Sequence, residues 1–170
     1  SPSFSPHSPD ELFVACDMSE LFHTRDMGAS WALVDFRFLQ GNRATLVHFT
    51  GDSNLLYAID CSTVAGADAQ RPARSLDGGR TWSPLAVDPT GMGCYFLAAD
   101  PQRTNRLLVS DYTTLYATTN GGGSFAPVYA SGGGLFMSGA FFDGSNVWAG
   151  CSDGLLVSGD GGRTFALSAA

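Results

Sequence analysis

An eight-residue box, Ser75-Leu76-Asp77-Gly78-Gly79-Arg80-Thr81-Trp82, returns almost unchanged as Ser158-Gly159-Asp160-Gly161-Gly162-Arg163-Thr164-Phe165. A softer copy precedes each of these. Thr24-Arg25-Asp26-Met27-Gly28-Ala29-Ser30-Trp31 keeps the hydroxyls, the acid, one glycine and the tryptophan. Thr118-Thr119-Asn120-Gly121-Gly122-Gly123-Ser124-Phe125 has Asn for Asp. The box suits a tight turn between antiparallel strands. Its glycines accept φ > 0, its acid and hydroxyls can satisfy turn N–H groups, and its last residue starts the next strand with an aromatic anchor. Asp26, Asp77, Asn120 and Asp160 lie 51, 43 and 40 residues apart. A motif at such a period marks a repeat architecture.

Three short runs precede each box and a fourth follows it. In the third repeat these are Cys94–Ala99, Arg106–Ser110 and Leu115–Thr118 before Asn120, and Phe125–Tyr129 after it. The first repeat offers a stub at Ser3–Ser5, then Glu11–Cys16, Glu20–Thr24 and Trp31–Phe36. The second offers Ala44–Thr50, Asn54–Asp60, an irregular Ala69–Ser75 and Trp82–Val87. The fourth offers Leu135–Phe142, Asn146–Cys151, Leu155–Ser158 and Phe165–Ser168. The runs are β-rich and bounded by Gly, Pro, Asn and Asp, and none has useful helical periodicity. Four short antiparallel strands per repeat predict an all-β fold, a β-propeller with blades at about 1–38, 39–89, 90–131 and 132–170. We expect one propeller segment over residues 1–170, part of a larger six- to eight-bladed ring. Pairing with another chain, or closure as four blades, remain alternatives.

Composition narrows the function. The net charge is −7 and all nine cationic residues are Arg. That argues against nucleic acid as partner, and it excludes a catalytic lysine. No apolar run reaches the ~18 residues of a membrane span. The chain opens at Ser1 without Met. We read it as a processed product that could have lost an export signal, and expect it to be secreted, periplasmic or on the cell surface. Cys16, Cys61, Cys94 and Cys151 are widely spaced. Buried free thiols are expected, with a Cys61–Cys94 bridge as the alternative. His7, His23 and His48 are scattered without metal-ligand spacing, so no metal and no cofactor are expected. The glycine runs lack the Lys-Ser/Thr of a phosphate loop, the Asp-Gly-Gly turns lack calcium-loop ligands, and no G-x-S-x-G elbow is present.

The S-x-D-x-G-x-T-W pattern resembles the Asp-box, or bacterial neuraminidase repeat. Such repeats occur in sialidases, in the sortilin luminal propeller, in a photosystem II assembly factor and in family 74 glycoside hydrolases, which cleave xyloglucan. The resemblance implies that Asp26, Asp77, Asn120 and Asp160 with Trp31, Trp82, Phe125 and Phe165 are structural. Phe4 to Phe22 is similar to the opening blade of the family 74 enzymes, where a strand ends in the catalytic base. That likeness implies a base role for Asp17. Ser19-Glu20 stands where that family has Gly-Gly, and its acid partner lies on a second propeller. The sialidase Arg-Ile-Pro segment is absent.

The two-to-three loops and the links between blades lie at the end opposite the boxes. There Asp17, Asp60, Asp111 and Asp153 fall at or just after second strands; Asp17 and Asp111 each precede their box Asp or Asn by nine residues. Carboxylates at a propeller mouth can act as general acid or base, or bind sugar hydroxyls; the plainer role is to satisfy a turn. Tyr112 follows Asp111, and Arg37, Gln40 and Arg43 occupy the first link. Asp60, Asp111, Asp153, Tyr112, Arg37 and Arg43 are therefore the candidate ligand-binding residues. Cys61–Gln70 reads as an inserted loop. Two functions stay open: a scaffold that binds a glycan or a protein partner, and a glycoside hydrolase fragment.

Overall fold

The computed structural model describes residues 2–17, 20–42 and 45–169. Its elements are all strands. Four four-stranded antiparallel sheets form the blades of a β-propeller. The chain divides into two compact units, Ser1–Leu85 and Ala86–Ala170, each holding two blades.

In the first unit, blade one is β1 Pro2–Phe4, β2 Leu12–Ala15, β3 Leu21–Thr24 and β4 Ala32–Leu33, paired in chain order. Blade two comprises β5 His48–Phe49, β6 Leu56–Asp60, β9 Arg71–Ser75 and β10 Ser83–Pro84, with the hairpin β7 Thr63–Val64 and β8 Ala67–Asp68 inserted after β6. The insertion turns at Ala65 and Gly66, both at positive φ, as a two-residue hairpin turn requires. Several expected strands differ: Trp31–Phe36 supplies only Ala32–Leu33 and Trp82–Val87 only Ser83–Pro84. The run Ala44–Thr50 supplies only His48–Phe49, because Thr45 Oγ1 is drawn into a turn, accepting from Asn42 N and donating to Ile59 O. The segment expected to be irregular, Ala69–Ser75, is a regular strand from Arg71, in register with Leu56–Asp60.

Side chains alternate across blade one. Phe13 and Leu21 turn toward blade two and share a core with Phe49, Leu56, Ala58, Ala73 and Trp82. Phe13 meets Trp82 edge-on with centroids 6.5 Å apart and stacks on His23 at 3.8 Å. Register places Pro2, Val14, Phe22 and Leu33 together on the other face.

In the second unit, blade three is β11 Phe96–Ala99, β12 Leu107–Ser110, β13 Thr114–Thr118 and β14 Ala126–Ala130. Blade four is β15 Met137–Asp143, β16 Asn146–Cys151, β17 Gly154–Ser158 and β18 Ala166–Leu167. Leu108, Leu115, Leu135, Val147 and Leu156 centre their shared core.

One turn geometry recurs in every blade. The leading hydroxyl donates to the acid or amide oxygen: Thr24 to Asp26 at 2.7 Å, and Ser75 to Asp77, Thr118 to Asn120 and Ser158 to Asp160 at 2.8 Å. The same hydroxyl accepts from the amide of Gly28, Gly79, Gly122 or Gly162. The box residue after the acid donates its amide to the first turn of its own blade: Met27 to Asp10 O, Gly78 to Asn54 O, Gly121 to Asn105 O and Gly161 to Ser145 O. The boxes and the one-to-two turns therefore share one end of each blade. At the far side of the box, Thr81 and Thr164 donate their hydroxyls to Asp77 and Asp160. Asn120 reverses that bond, its Nδ2 donating to Ser124 Oγ at 2.9 Å.

Burial by itself would raise the Asp77 carboxyl, but donors from Thr81, Ser75 and Arg80 outweigh it and hold the pKa at about 2. Bonds from Ser30 and Thr24 hold Asp26 at about 2, and bonds from Thr164, Ser158 and Arg163 lower Asp160 further. Each is the expected effect of hydrogen bonds to the charged form.

No disulfide joins the four cysteines, all of which lie among the described residues. Cys94 is buried, whereas Cys16, Cys61 and Cys151 are half-buried, so the expectation of buried thiols holds for one of them. Among the described residues no group of His, Cys, Asp and Glu could hold a metal ion, and no helix is long and apolar enough to cross a membrane.

Candidate ligand-binding surface

Each unit carries its two-to-three loops and its inter-blade link at one end, tied by hydrogen bonds. In the first unit Gln40 of the link donates to Asp60 Oδ1 at 3.0 Å and accepts from Cys61 N at 2.8 Å. In the second, Ser131 of the link donates its amide to Thr113 O and its hydroxyl to Asp153 Oδ1.

The carboxylates proposed from sequence have different surroundings. Asp60 is buried and already satisfied: it accepts from Gln40 N, Ser62 N, Ser62 Oγ and Arg71 Nη2. Its geometry is that of a carboxylate fastening a loop. Asp17 is exposed in the turn after β2. Arg37 is exposed and grips Asp35 through Nε and Nη2. Arg43 lies outside the described residues.

Asp111, Tyr112 and Asp153 come together with residues that the sequence did not single out. Tyr112 lies flat against Tyr95, with ring centroids 4.2 Å apart and planes 6° apart. Phe136 meets Tyr112 edge-on at 5.8 Å. Tyr112 and Phe136 are 53% and 57% exposed, large values for such apolar rings. The backbone fixes them. Leu135 N donates to Tyr112 O at 2.7 Å, Ser152 N donates to Phe136 O at 2.9 Å, and Phe136 N donates to Ser152 Oγ. Tyr95 Oη donates to Leu135 O and accepts from Met137 N, both at 2.6 Å. These bonds preset the platform before any ligand arrives.

Two carboxylates flank it in the loops. Asp111 Oδ1 accepts from Thr113 N, Thr113 Oγ1 and Thr114 N. Burial pushes its pKa up, but the Thr113 donors outweigh that and lower it. Asp153 accepts from Tyr129 Oη at 2.7 Å and from Ser131 Oγ. The bond to Asp153 pushes the Tyr129 phenol up to about 12, so Tyr129 stays a neutral donor through the physiological range. The arrangement offers a rigid aromatic face rimmed by carboxyl acceptors and a phenol. The sequence signal for the missed members was faint: Tyr95 opens a strand, and Phe136 follows Gly132-Gly133-Gly134 in the link.

No protein-family model matches the chain, and no curated protein matches its sequence. Solved structures do. The GH74 xyloglucanase from Xanthomonas campestris matches 99% of this chain and 30% of its own, with a TM-score of 0.70 and 17% identity. YCF48 from Cyanidioschyzon merolae matches 99% of this chain and 55% of its own, with a TM-score of 0.60 and 21% identity. YCF48 bound to D1 peptide matches 97% and 79%, with a TM-score of 0.54 and 14% identity. These likenesses establish the fold: the chain is built as a β-propeller like those of GH74 enzymes and YCF48. It spans less than a third of the length of the xyloglucanase.

Proposed function

We propose that the chain is a binding scaffold of Asp-box repeats whose ligand is a glycan, held on the Tyr112–Phe136 face. The observation that carries this reading is the stacked, half-exposed Tyr112 with Phe136 set against it. Exposed aromatic rings held rigid on loops mark binding surfaces. A sugar ring presents a C–H face to such a platform and hydroxyls to its rim, where Asp111 and Asp153 accept, as does the Tyr129 oxygen, whose own proton is given to Asp153. An extracytoplasmic location suits a polysaccharide ligand. The similar propellers named above, a xyloglucanase and a peptide-bound YCF48, make xyloglucan oligosaccharides and a peptide the first probes.

Calorimetric titration with xyloglucan and cello-oligosaccharides tests the reading. Saturable binding is expected, weakened about fivefold by Tyr112→Ala, the loss of roughly 1 kcal/mol of ring contact. No saturable binding, or binding indifferent to Tyr112→Ala, rejects it. Binding of the peptide alone would assign the surface to a protein partner.

A second reading attaches to Asp17, which is exposed just past β2 at the end opposite the boxes. In a family 74-like hydrolase Asp17 is the general base and the acid is supplied elsewhere. Turnover of a β-glucan by the protein, abolished by Asp17→Ala, would favour it; turnover unaffected by that change removes it.

A further inference from the structure

We propose that the groove beside the fourth box, in the second unit and at the end opposite the aromatic platform, binds a tetrahedral oxyanion: a sulfate or phosphate group, free or as a monoester. The inference is independent of the glycan reading. The groove holds about 210 Å³. A water occupies about 30 Å³, so a five-atom anion fits with companion waters. Arg103, Asn105 and Arg106 from the β11–β12 turn form one wall, and Asp160, Gly161 and Arg163 of the box form the other.

Arg106 carries the argument. It is 4% exposed, yet its Nη1 has no hydrogen-bond partner among the described residues. Its other edge is committed: Nε donates to Asp100 Oδ2 at 2.6 Å and Nη2 to Gly144 O at 2.8 Å. The guanidinium lies over the Phe142 ring, 5.3 Å from its centroid, so its plane is set. Nη1 faces the bare Cα of Gly161, where a Cβ would sit 3.0 Å away. A buried donor left unpaired is costly and calls for a partner. Arg71 and Arg74 also leave a buried Nε unpaired, but of the three arginines Arg106 is the one that lines this groove.

The first unit shows the contrast. There Arg25 reaches the corresponding glycine of the second box and donates Nη2 to Gly78 O at 3.0 Å. The box carbonyl accepts from that arginine, whereas Nη1 of Arg106 beside the fourth box has no partner among the described residues. The charges around the groove suit an anion. Asp160 spends its oxygens inside the box on Ser158, Arg163 N and Thr164, and Asp100 is taken by Arg106 and Gln102 N. Arg103 and Arg163 are exposed at the rim, and a guanidinium fork matches an oxyanion edge.

The test is an NMR titration of the protein with sodium sulfate, inorganic phosphate and glucose 6-phosphate, at constant ionic strength maintained with NaCl. Saturable shifts at the Gly161 amide and the Arg106 side chain are expected. Arg103→Gln with Arg163→Gln, both surface changes, should weaken binding at least about tenfold. Arg80→Gln, the same change in the second box, should leave it unaltered. Tighter binding of the sugar ester than of the free ions points to an esterified ligand; equal binding points to the free ion. Shifts that track chloride equally, or an affinity unchanged in the double variant, overturn the proposal. Should Arg106→Gln unfold the chain, the rim variants still decide.

Discussion

Trp31 and Trp82 end two boxes of the same unit, yet they have opposite fates. Trp82 is 5% exposed, its edge against Phe13 of blade one and its Nε1 donating to Gly79 O at 3.1 Å. Trp31 is 46% exposed and lines an apolar groove of about 380 Å³ with Val14 and Phe22 of its own blade. The local turn is the same in both: the hydroxyl, acid and glycine make the same bonds. What differs is the neighbour. Blade one lies against the face of blade two that carries Trp82, whereas Trp31 belongs to the opposite, apolar face of blade one. The box fixes where its aromatic points; the adjoining sheet decides what that aromatic is worth, as in repeat proteins whose stability resides in nearest-neighbour interfaces.

The comparison can be broken by mutation. Trp82→Ala should cost about 3–5 kcal/mol, and Trp31→Ala no more than about 1 kcal/mol, read from urea unfolding midpoints. Equal losses would mean that the turn, rather than the neighbouring blade, supplies the energy. Gly79→Ala comes next, at about 2–4 kcal/mol, combining backbone strain with overpacking. Gly79 has φ +85° and its Cβ would lie 2.4 Å from Phe13 Cζ. Gly28→Ala has a similar φ but meets the Trp31 ring at 3.4 Å, so it should pay backbone strain alone, about 1–2 kcal/mol. Asp77→Ala removes the acceptor for Ser75, Arg80 and Thr81 and should cost about 1 kcal/mol, as loss of a helix cap does.

The smallest effect sharpens the contrast among boxes. The folded pKa of Asp77, about 2, lies below the ordinary carboxylate value of 3.8. Its ionised form therefore favours the fold fully above the ordinary value, and that stability fades as pH falls toward 2. Asp77→Asn should lessen the drop in urea midpoint between pH 6 and pH 2.5, measured by circular dichroism. Asn120 already holds the third box with an amide, and Asn120→Asp should steepen the same drop.

The boxes and most strands were legible because their chemistry is local. Gly79 and Asp77 dictate a turn wherever they occur, and β-rich runs between such turns have few alternatives. Local reading failed where a distant partner decides. Thr45 looked like part of a strand until Ile59 O took its hydroxyl. Asp60 read as a mouth carboxylate, but Arg71 and Gln40 bury and bind it. Asp111, Tyr112 and Asp153 were singled out by their position after second strands. Tyr95 and Phe136 were missed because their exposure depends on how the 131–136 link is laced to two loops. Arg106 read as the charged start of a strand, and only Asp100, Gly144 and Phe142 show that it is buried with one nitrogen unmet.

The main-chain hydrogen bond from each box to its blade's first turn has a consequence for how the chain reaches this structure. Donor and acceptor are both main-chain groups a short way apart in sequence, so no side chain is needed and no other blade has to be present. Each sheet can thus close as an autonomous hairpin array before its neighbours stack. Low contact order of this kind speeds folding. Synthesis from the N-terminus can then add finished blades one after another, and Met27 in the first box shows that the closure tolerates a bulky residue where the others carry glycine.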